Sequence, residues 1–404
     1  MSAPPALVVF SHLRWGFVLQ RPQHLLTRLA GRWRVFFVEE PVPTEGKAFI
    51  EVRVVGPHLS VLVPHTPVAM PGFHDDQLAV LQPLVAAWMA AENVRHPVVW
   101  LYTPMALPLV QPLDPSCVVY DCMDELSAFK GAPKQLRQRE TALMKRAAVV
   151  FTGGPSLFDA KRHLHPSVHC IPSSVDARHY APASLREDSD EHQAVQALQG
   201  GIPGPRIGYF GVIDERLDLS LVERVADHNP AWQVVMVGPV VKIDPASLPR
   251  RANIHWLGMQ GYERLPYFLA GWDVAMMPFA LNEATRFISP TKTLEYMAGG
   301  KPVVSTGVKD VITLYGSAVE VAHSPEQFVS ACERLLAATA EEQAARALEM
   351  DALVAASSWD RSARSIDSLM SASHEAALLA REEEPSASTL ADAEPRYAVA
   401  AARP

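Results

Sequence analysis

Short runs of Val, Ile, Leu and Phe recur along this chain at residues 7–10, 35–38, 98–102, 118–120, 149–151 and 168–171, each separated from the next by a stretch long enough for a helix. Strands that are apolar throughout have no face suited to water, so the pattern predicts a parallel sheet covered by helices on both sides. A polar stretch bounded by Gly and Pro at 184–205 interrupts it. The pattern then restarts with strands at 206–210, 233–237, 253–257, 274–277, 302–305 and 319–321. The prediction is an α/β chain of two doubly wound, Rossmann-like domains joined near 184–205 and facing each other across a cleft, because open sheets of this kind bind ligands beyond the carboxyl ends of their strands. The expected organisation is a first domain over residues 1–195 and a second over 196–355. A helix over 356–380, its pattern running from Trp359 to Leu379, is expected to pack back on the first domain. The tail over 381–404 is rich in Ala, Glu, Ser and Pro and is expected to be disordered.

Composition narrows the function. With 404 residues, 49% hydrophobic and 20% charged, the chain can bury two cores. A net charge of −8 and a pI near 6.0 argue against bulk nucleic-acid binding. Cys117, Cys122, Cys170 and Cys332 form no CxxC pair, which argues against a zinc site or a disulfide framework and fits a reducing cytosol. The N-terminus lacks a basic region ahead of its apolar run, and no stretch approaches the roughly 18 apolar residues of a membrane span.

The run Ser-Pro-Thr-Lys-Thr-Leu-Glu-Tyr-Met-Ala-Gly-Gly-Lys-Pro-Val-Val at 289–304 carries the most chemistry. Ser289 suits an N-cap, Pro290 the first helical position, and Gly299 and Gly300 the stop, which predicts a helix of about nine residues. Its first turn would offer backbone N–H groups, the Ser289 and Thr291 hydroxyls and Lys292 to an anion. Glu295, three residues after Lys292, shares its helix face and can accept two hydrogen bonds from a ribose diol. Phosphate followed by sugar is the geometry of a nucleotide; a well-capped helix with a solvated Lys/Glu pair is the other reading.

Gly208 and Gly211, at the end of the strand opening the second half, allow close backbone approach, and Arg216 follows near the strand's carboxyl end. Its guanidinium could grip a diphosphate, or pair on the surface with Glu215 or Asp218. The first strand leads into a long loop containing His12, Arg14 and Gly16, then a helix beginning around Arg21 and Pro22 with Gln23 and His24 close by. Gly16 can bring backbone N–H groups towards a ligand, and the density of polar groups there marks a second candidate wall. Asp121, Asp124 and Glu125 follow another apolar strand. Asp121 and Asp124 are candidates for a general base or a sugar-hydroxyl acceptor, while helix capping is preferred for Glu125. The fifteen histidines show no metal-ligand spacing, and neither GxSxG nor GxGxxG is present.

Taken together, residues 6–370 resemble the GT-B glycosyltransferases of the retaining GT4, or group 1, type. The 289–304 run resembles that family's donor-binding helix, which implies that Ser289, Pro290, Thr291 and Lys292 hold the phosphates and Glu295 the ribose. The loop from Gly211 to Asp218 is similar to the segment that delivers a basic residue to the donor diphosphate, with Arg216 where Lys is usual and Val212 where the family has Arg. Ile-Pro-Ser-Ser-Val-Asp at 171–176 resembles the family's Ile-Pro-Asn-Gly-Val-Asp turn. The stretches 253–258, Tyr262 to Pro266 and Trp272 to Pro278 resemble its approach to the nucleotide base. Two departures stand out. Phe287 replaces a Glu eight residues before the ribose-binding one, leaving Glu283 as the nearest acid for the donor sugar, and Met123 and Asp124 stand where the family carries a catalytic-region His. The loop at 11–24 with the acidic turn resembles a bacterial cell-surface polysaccharide subgroup.

The resemblance implies a cytoplasmic, metal-independent transferase with no cofactor, moving a hexose-type sugar from a nucleotide-sugar donor to a saccharide or lipid-linked acceptor near His12, Gly16, Asp121 and Asp124. Arg216 and Lys292 would stabilise the leaving diphosphate. Nucleic acid is not an expected partner. Peripheral contact with the inner membrane through Arg137, Arg139, Lys145 and Arg146 competes with a solvated basic face. A nucleotide-sugar epimerase of the same architecture and a catalytically degenerate nucleotide-binding protein are the alternatives.

Overall fold

The structure is a computed structural model and describes residues 4–383. Its first half contains strands β1 (Ala6–Phe10), β2 (Arg34–Val38), β3 (Val42–Pro43), β4 (Phe49–Gly56), β5 (Leu59–Thr66), β6 (Val98–Leu101), β7 (Cys117–Cys122), β8 (Val149–Thr152) and β9 (Val168–Cys170). Helices α1 (Arg21–Leu29), α2 (Leu78–Ala91), α3 (Leu136–Arg146), α4 (Pro155–Lys161), α5 (Ala177–Tyr180) and α6 (Asp190–Gln199) accompany them. The second half contains β10 (Arg206–Phe210), β11 (Gln233–Val237), β12 (Ile254–Trp256), β13 (Val274–Met277), β14 (Val303–Thr306) and β15 (Val319–Ala322). Its helices are α7 (Leu219–His228), α8 (Leu265–Ala270), α9 (Lys292–Ala298), α10 (Lys309–Tyr315), α11 (Pro325–Leu336) and α12 (Ala340–Ala356), followed by the long α13 (Trp359–Glu383).

Two sheets result, one of nine strands and one of six in the order β12-β11-β10-β13-β14-β15. The six-stranded sheet is parallel throughout, with β10 at its centre in register with β11 and β13. In the nine-stranded sheet β1 lies between β2 and β6. Alternation along β1 shows the double winding directly: Leu7 and Val9 point into one hydrophobic cluster, Val8 and Phe10 into another on the opposite face. The fold is α/β with two doubly wound sheets.

One expectation about the first sheet requires correction. The hairpin of β4 and β5 is antiparallel and was not among the predicted strands. β5 carries Ser60, Pro64 and His65, and most of β4 is exposed, so neither reads as a buried apolar run. The segment at 184–205 holds α6 in addition to linker.

α13 lies against the first sheet. Trp359, Ala363, Ile366 and Met370 repeat at helical spacing and are buried in the cluster that contains Leu25, Leu26 and Trp33. Burying Trp359, Ile366 and Met370 contributes roughly 1.5–3 kcal/mol each. Asp367 fixes the rotation of the helix by accepting a 2.7 Å hydrogen bond from Trp33 Nε1. Residues 381–383 belong to this helix, not to a tail; the remainder of the tail, 384–404, lies outside the described residues. Among the described residues no helix is long and apolar enough to cross a membrane.

A cross-connection sets how the two halves meet. Asp310, at the start of α10, accepts the Ser156 N–H of α4 at 2.9 Å and is fully buried. A Cβ at Gly154 would fall 2.0 Å from Asp310 Oδ2 and 2.7 Å from Ser289 Cβ, so a glycine is required where the two halves touch. Phe287 packs against the core of the first half.

Candidate active site

A cavity of about 480 Å³ lies between the carboxyl ends of the two sheets. Its first wall is the loop from Trp15 to Arg21 with Met123, Asp124 and Gly153. Its second wall comprises Gly211, Val212 and Arg216 after β10, Gly238 after β11, the 259–262 loop, and residues 288–292 with Glu295. Strand ends of two open sheets converge here, the position at which such sheets bind ligands.

Glycines bring the second wall together. Gly211 has φ +146° and Gly238 φ +148°, backbone that side chains rarely adopt. A Cβ at Gly211 would fall 2.1 Å from Lys292 Cε, and one at Gly238 would fall 1.8 Å from the Gly211 carbonyl oxygen. Gly238 was not among the sequence candidates; its signal is a glycine directly after an apolar strand, as at Gly211. Gly208, read as a site of ligand approach, packs against the Trp272 indole, where a Cβ would fall within 1.9 Å.

Lys292 therefore lies across the Gly211 backbone. Burial lowers its pKa below that of an ordinary lysine, an effect that Glu295 opposes. Burial raises the Glu295 pKa, and Lys292 and Thr291 oppose that rise. A bound anion beside Lys292 would restore the solvation its charge has lost. The helix carrying them is shorter than predicted: α9 has seven residues, and Thr291, not Ser289, occupies the N-cap position. The first bonds run from Thr293 N–H to the Pro290 carbonyl and from Leu294 N–H to Thr291. Ser289, Pro290 and Thr291 form the turn ahead of the helix and line the cavity. With two turns of helix the dipole is small, so anion binding falls chiefly to Lys292 and Arg216.

Arg216 donates from Nε and Nη2 to Asp214, at 2.9 Å and 2.8 Å to Oδ1 and Oδ2 respectively. Burial opposes its charge, but the Asp214 hydrogen bonds and charge hold it protonated. The surface partners proposed from sequence, Glu215 and Asp218, are replaced by Asp214. The Phe129 ring of the first half lies 5.8 Å from the guanidinium carbon and 5.4 Å from Lys242 Nζ.

Asp124 lines the cavity opposite this basic pair. Burial pushes its pKa up from 3.8 to about 6, with Arg216 and Arg21 opposing the rise and Asp121 and Asp214 adding to it. The folded state therefore holds the proton more tightly than the unfolded chain, and the stability this contributes is lost as pH rises from about 4 through about 6. Asp124→Asn is expected to be more stable than the parent at pH 7.5 by on the order of 1–2 kcal/mol, with the gap closing near pH 4, as measured by urea unfolding at the two pH values.

Other candidates are placed differently. Asp121 is fully buried, and both its oxygens accept from Arg21, Oδ2 from Nε at 2.9 Å and Oδ1 from Nη2 at 3.1 Å. With Arg21 Nη1 also donating to the Ile171 carbonyl, this pair joins the end of β7 to α1; Arg21 reaches the cavity wall, but Asp121 does not line it. His12 is also off the lining; burial and nearby Lys242 lower its pKa to about 4, so it brings no positive charge at neutral pH. Glu283 is exposed and pairs with Arg286 at 3.6 Å, outside the cavity. Glu125 caps no helix through its side chain and instead pairs with Lys161 at 2.7 Å. Gly16 lines the cavity with open space around it, so no close approach requires a glycine there.

The polar residues of the first wall mostly hold its loop in shape. Gln23 Nε2 donates to the Trp15 and Val18 carbonyls at 2.7 and 3.1 Å, and Trp15 N–H donates to Glu39 Oε1 at 2.8 Å. Arg14 pairs with Glu39, and His24 stacks on Trp359 at 4.8 Å. Ahead of Gln20 and Arg21, the loop presents apolar side chains to the cavity: Trp15, Phe17, Val18 and Leu19. At the opposite end Tyr262 is stacked on His179 at 4.0 Å. Phe287 is turned away from the cavity, with Arg286 over its ring at 5.1 Å. Among the described residues no group of three or more His, Cys, Asp or Glu is placed to hold a metal ion.

The paired sheets and the inter-sheet cleft define a GT-B fold. Sucrose-phosphate synthase of Thermosynechococcus elongatus superposes with a TM-score of 0.70 at 15% identity, over 93% of this chain and 100% of that one. Anabaena HepE, solved with UDP and glucose, superposes at 0.67 and 14% identity, over 91% and 100% of the two chains. In sequence, residues 204–338 match the family described as Glycosyl transferases group 1. The TuaH protein of Bacillus subtilis strain 168, whose name assigns it provisionally as a teichuronic acid biosynthesis glycosyltransferase, is 25% identical over 274 residues, covering 63% of this chain and 67% of TuaH. The chain therefore has the GT-B fold, and its second half is similar to the Glycosyl transferases group 1 family.

Proposed function

We propose that the cleft transfers a sugar from a nucleoside diphosphate sugar to an acceptor hydroxyl, with retention and without a metal, in the assembly of a polysaccharide or glycolipid. The observation that carries the reading is the convergence of Lys292, Arg216 and the bare Gly211 backbone on one side of the cavity, with Glu295 one helical turn beyond. Lys292 and Arg216 neutralise the diphosphate as the glycosidic bond breaks, in a cavity where fixed charges act with less screening than in water. Glu295 accepts from the ribose hydroxyls, and the 259–262 loop with Tyr262 forms the base end. Metal independence is supported by the two cations already set there, and retention by the likeness to the GT4 kind.

Asp124 is the carboxylate on the acceptor side and accepts a hydrogen bond from a sugar hydroxyl when ionised. The apolar loop from Trp15 to Leu19 suits a pyranose face or a lipid-linked acceptor. The teichuronic acid assignment of TuaH and the UDP complex of HepE favour a polysaccharide pathway and a nucleotide donor. Membrane contact through α3 would involve fewer residues than the sequence suggested. Arg139 is turned inward onto Asp75 and the Met105 carbonyl, which leaves Arg137, Lys145 and Arg146 exposed.

The test is nucleotide release from a panel of UDP-, GDP- and dTDP-sugars with and without a pool of lipid-linked and free saccharides. Acceptor-dependent release, unaffected by EDTA and giving product whose anomeric proton keeps the donor's configuration by NMR, is the predicted result. Isomerised nucleotide sugar formed without acceptor would contradict it.

A further inference from the structure

β4 is the outermost strand of the first sheet. It pairs with β5 on one side, and among the described residues no strand occupies its other edge. Phe49, Val52, Val54 and Val55 are 48%, 46%, 77% and 42% exposed, and the strand carries neither Pro nor Lys. An exposed edge with several apolar residues is a template for pairing with a further strand; proteins that stay monomeric blunt such edges with Pro, charged residues or bulges, and here the irregularity falls between Val54 and Gly56, beyond the regular stretch 50–54, while the charges are an opposite pair, Glu51 and Arg53.

We propose that this edge pairs with β4 of a second copy of the chain, antiparallel and centred on Val52, to give a dimer with one continuous sheet. The register follows from the charges. Centred on Val52, the pairing sets Glu51 opposite Arg53 of the second copy twice over, with Val52 opposite its own counterpart and Ile50 opposite Val54. A shift of two residues to centre on Glu51 or on Arg53 sets like charges face to face, and a shift of one brings the polar face of one strand to the apolar face of the other. Glu51 and Arg53 share one face, where they already pair at 3.2 Å. Ile50 packs into the core on the other face, so Val52 and Val54 extend that apolar surface to the edge. No residue of β4 lines the cavity, so the dimer leaves the cleft open.

Sedimentation velocity of the full chain from about 1 to 100 µM is predicted to show a monomer–dimer equilibrium, because the interface is small by the standard of stable complexes. Val52→Lys places two lysines across the two-fold axis and is expected to weaken the dimer at least about 30-fold. Glu51→Arg sets two arginines against Arg53 and is expected to weaken it about 10-fold. Val52→Cys is expected to cross-link under mild oxidation, since residue 52 meets itself only in this register, while Val54→Cys is not. Thermal unfolding checks that each variant remains folded, and Val52 takes part in none of the ion pairs of this face. A chain that stays monomeric up to 100 µM, or a dimer indifferent to both Val52→Lys and Glu51→Arg, would overturn the proposal.

Discussion

Arg216→Ala is expected to lower kcat about 10²–10³-fold with a much smaller effect on donor KM. The reason is that in the proposed reaction the guanidinium lies where negative charge grows on the leaving diphosphate, and a prepositioned donor of this kind contributes on the order of 3–4 kcal/mol to the transition state. Removing it also strands Asp214, 8% exposed in its side chain, without its bidentate partner, so some loss of stability accompanies the loss of rate. The double variant Arg216→Ala/Asp214→Asn separates the two effects: it is expected to recover stability and not kcat. Steady-state kinetics that show a pure KM effect, or a double variant with restored kcat, would place Arg216 in the structural frame instead of the reaction.

Gly238→Ala is expected to be the most damaging conservative substitution around the cleft. The added methyl would meet the Gly211 carbonyl oxygen at 1.8 Å, a backbone contact that no side-chain rotation relieves, at a φ of +148° that alanine strongly resists. Strain and overpacking together cost about 3 kcal/mol or more, equivalent to roughly 6–12 °C in Tm for the second half of the chain. The rearrangement moves Gly211, which underlies Lys292, so nucleotide affinity falls along with stability. Differential scanning fluorimetry with and without nucleotide checks both consequences. Gly16→Ala, which meets nothing within 4 Å, is the matched control and is expected to leave Tm unchanged.

The parts of this protein that sequence made legible are those encoded locally. Three to five mostly apolar residues in a row declare a buried strand, and twelve such predicted strands placed both sheets. Gly211 at a strand end, and Lys292 and Glu295 three residues apart on one helix, could be assigned to a single cavity wall because each follows from spacing along the chain. What failed depended on distant partners. Asp121 resembles Asp124 in sequence, yet Arg21, 100 positions earlier, takes both of its oxygens and leaves Asp124 alone to face the cleft. His12, Arg14, Gln23 and His24 read as a polar binding surface but spend their polar groups or rings on Glu39, on loop carbonyls and on Trp359, or are simply buried.

Two further residues follow the same rule. Asp310 carries no motif, and its bond to Ser156, 154 positions away, becomes visible only when the halves are assembled. Phe287 stands where the family resemblance calls for a sugar-binding acid, and the structure gives it a different occupation, packing against the first half. In the proposed reaction, recognition of the donor sugar then falls to groups other than residue 287. Glu283, the acid nearest in sequence, points to solvent, and Glu283→Ala is expected to leave donor KM within about twofold of the parent, as surface substitutions usually do.

The most direct test of the donor site is isothermal titration calorimetry of UDP, GDP and dTDP against the parent chain, Lys292→Ala and Glu295→Ala. The parent is predicted to bind at least one of the three nucleotides, and each variant to bind it at least about 10-fold more weakly, a loss of about 1.4 kcal/mol, with an unchanged far-UV circular dichroism spectrum. Equal affinity in the parent and in both variants would contradict the assignment of this cleft as the nucleotide-sugar site.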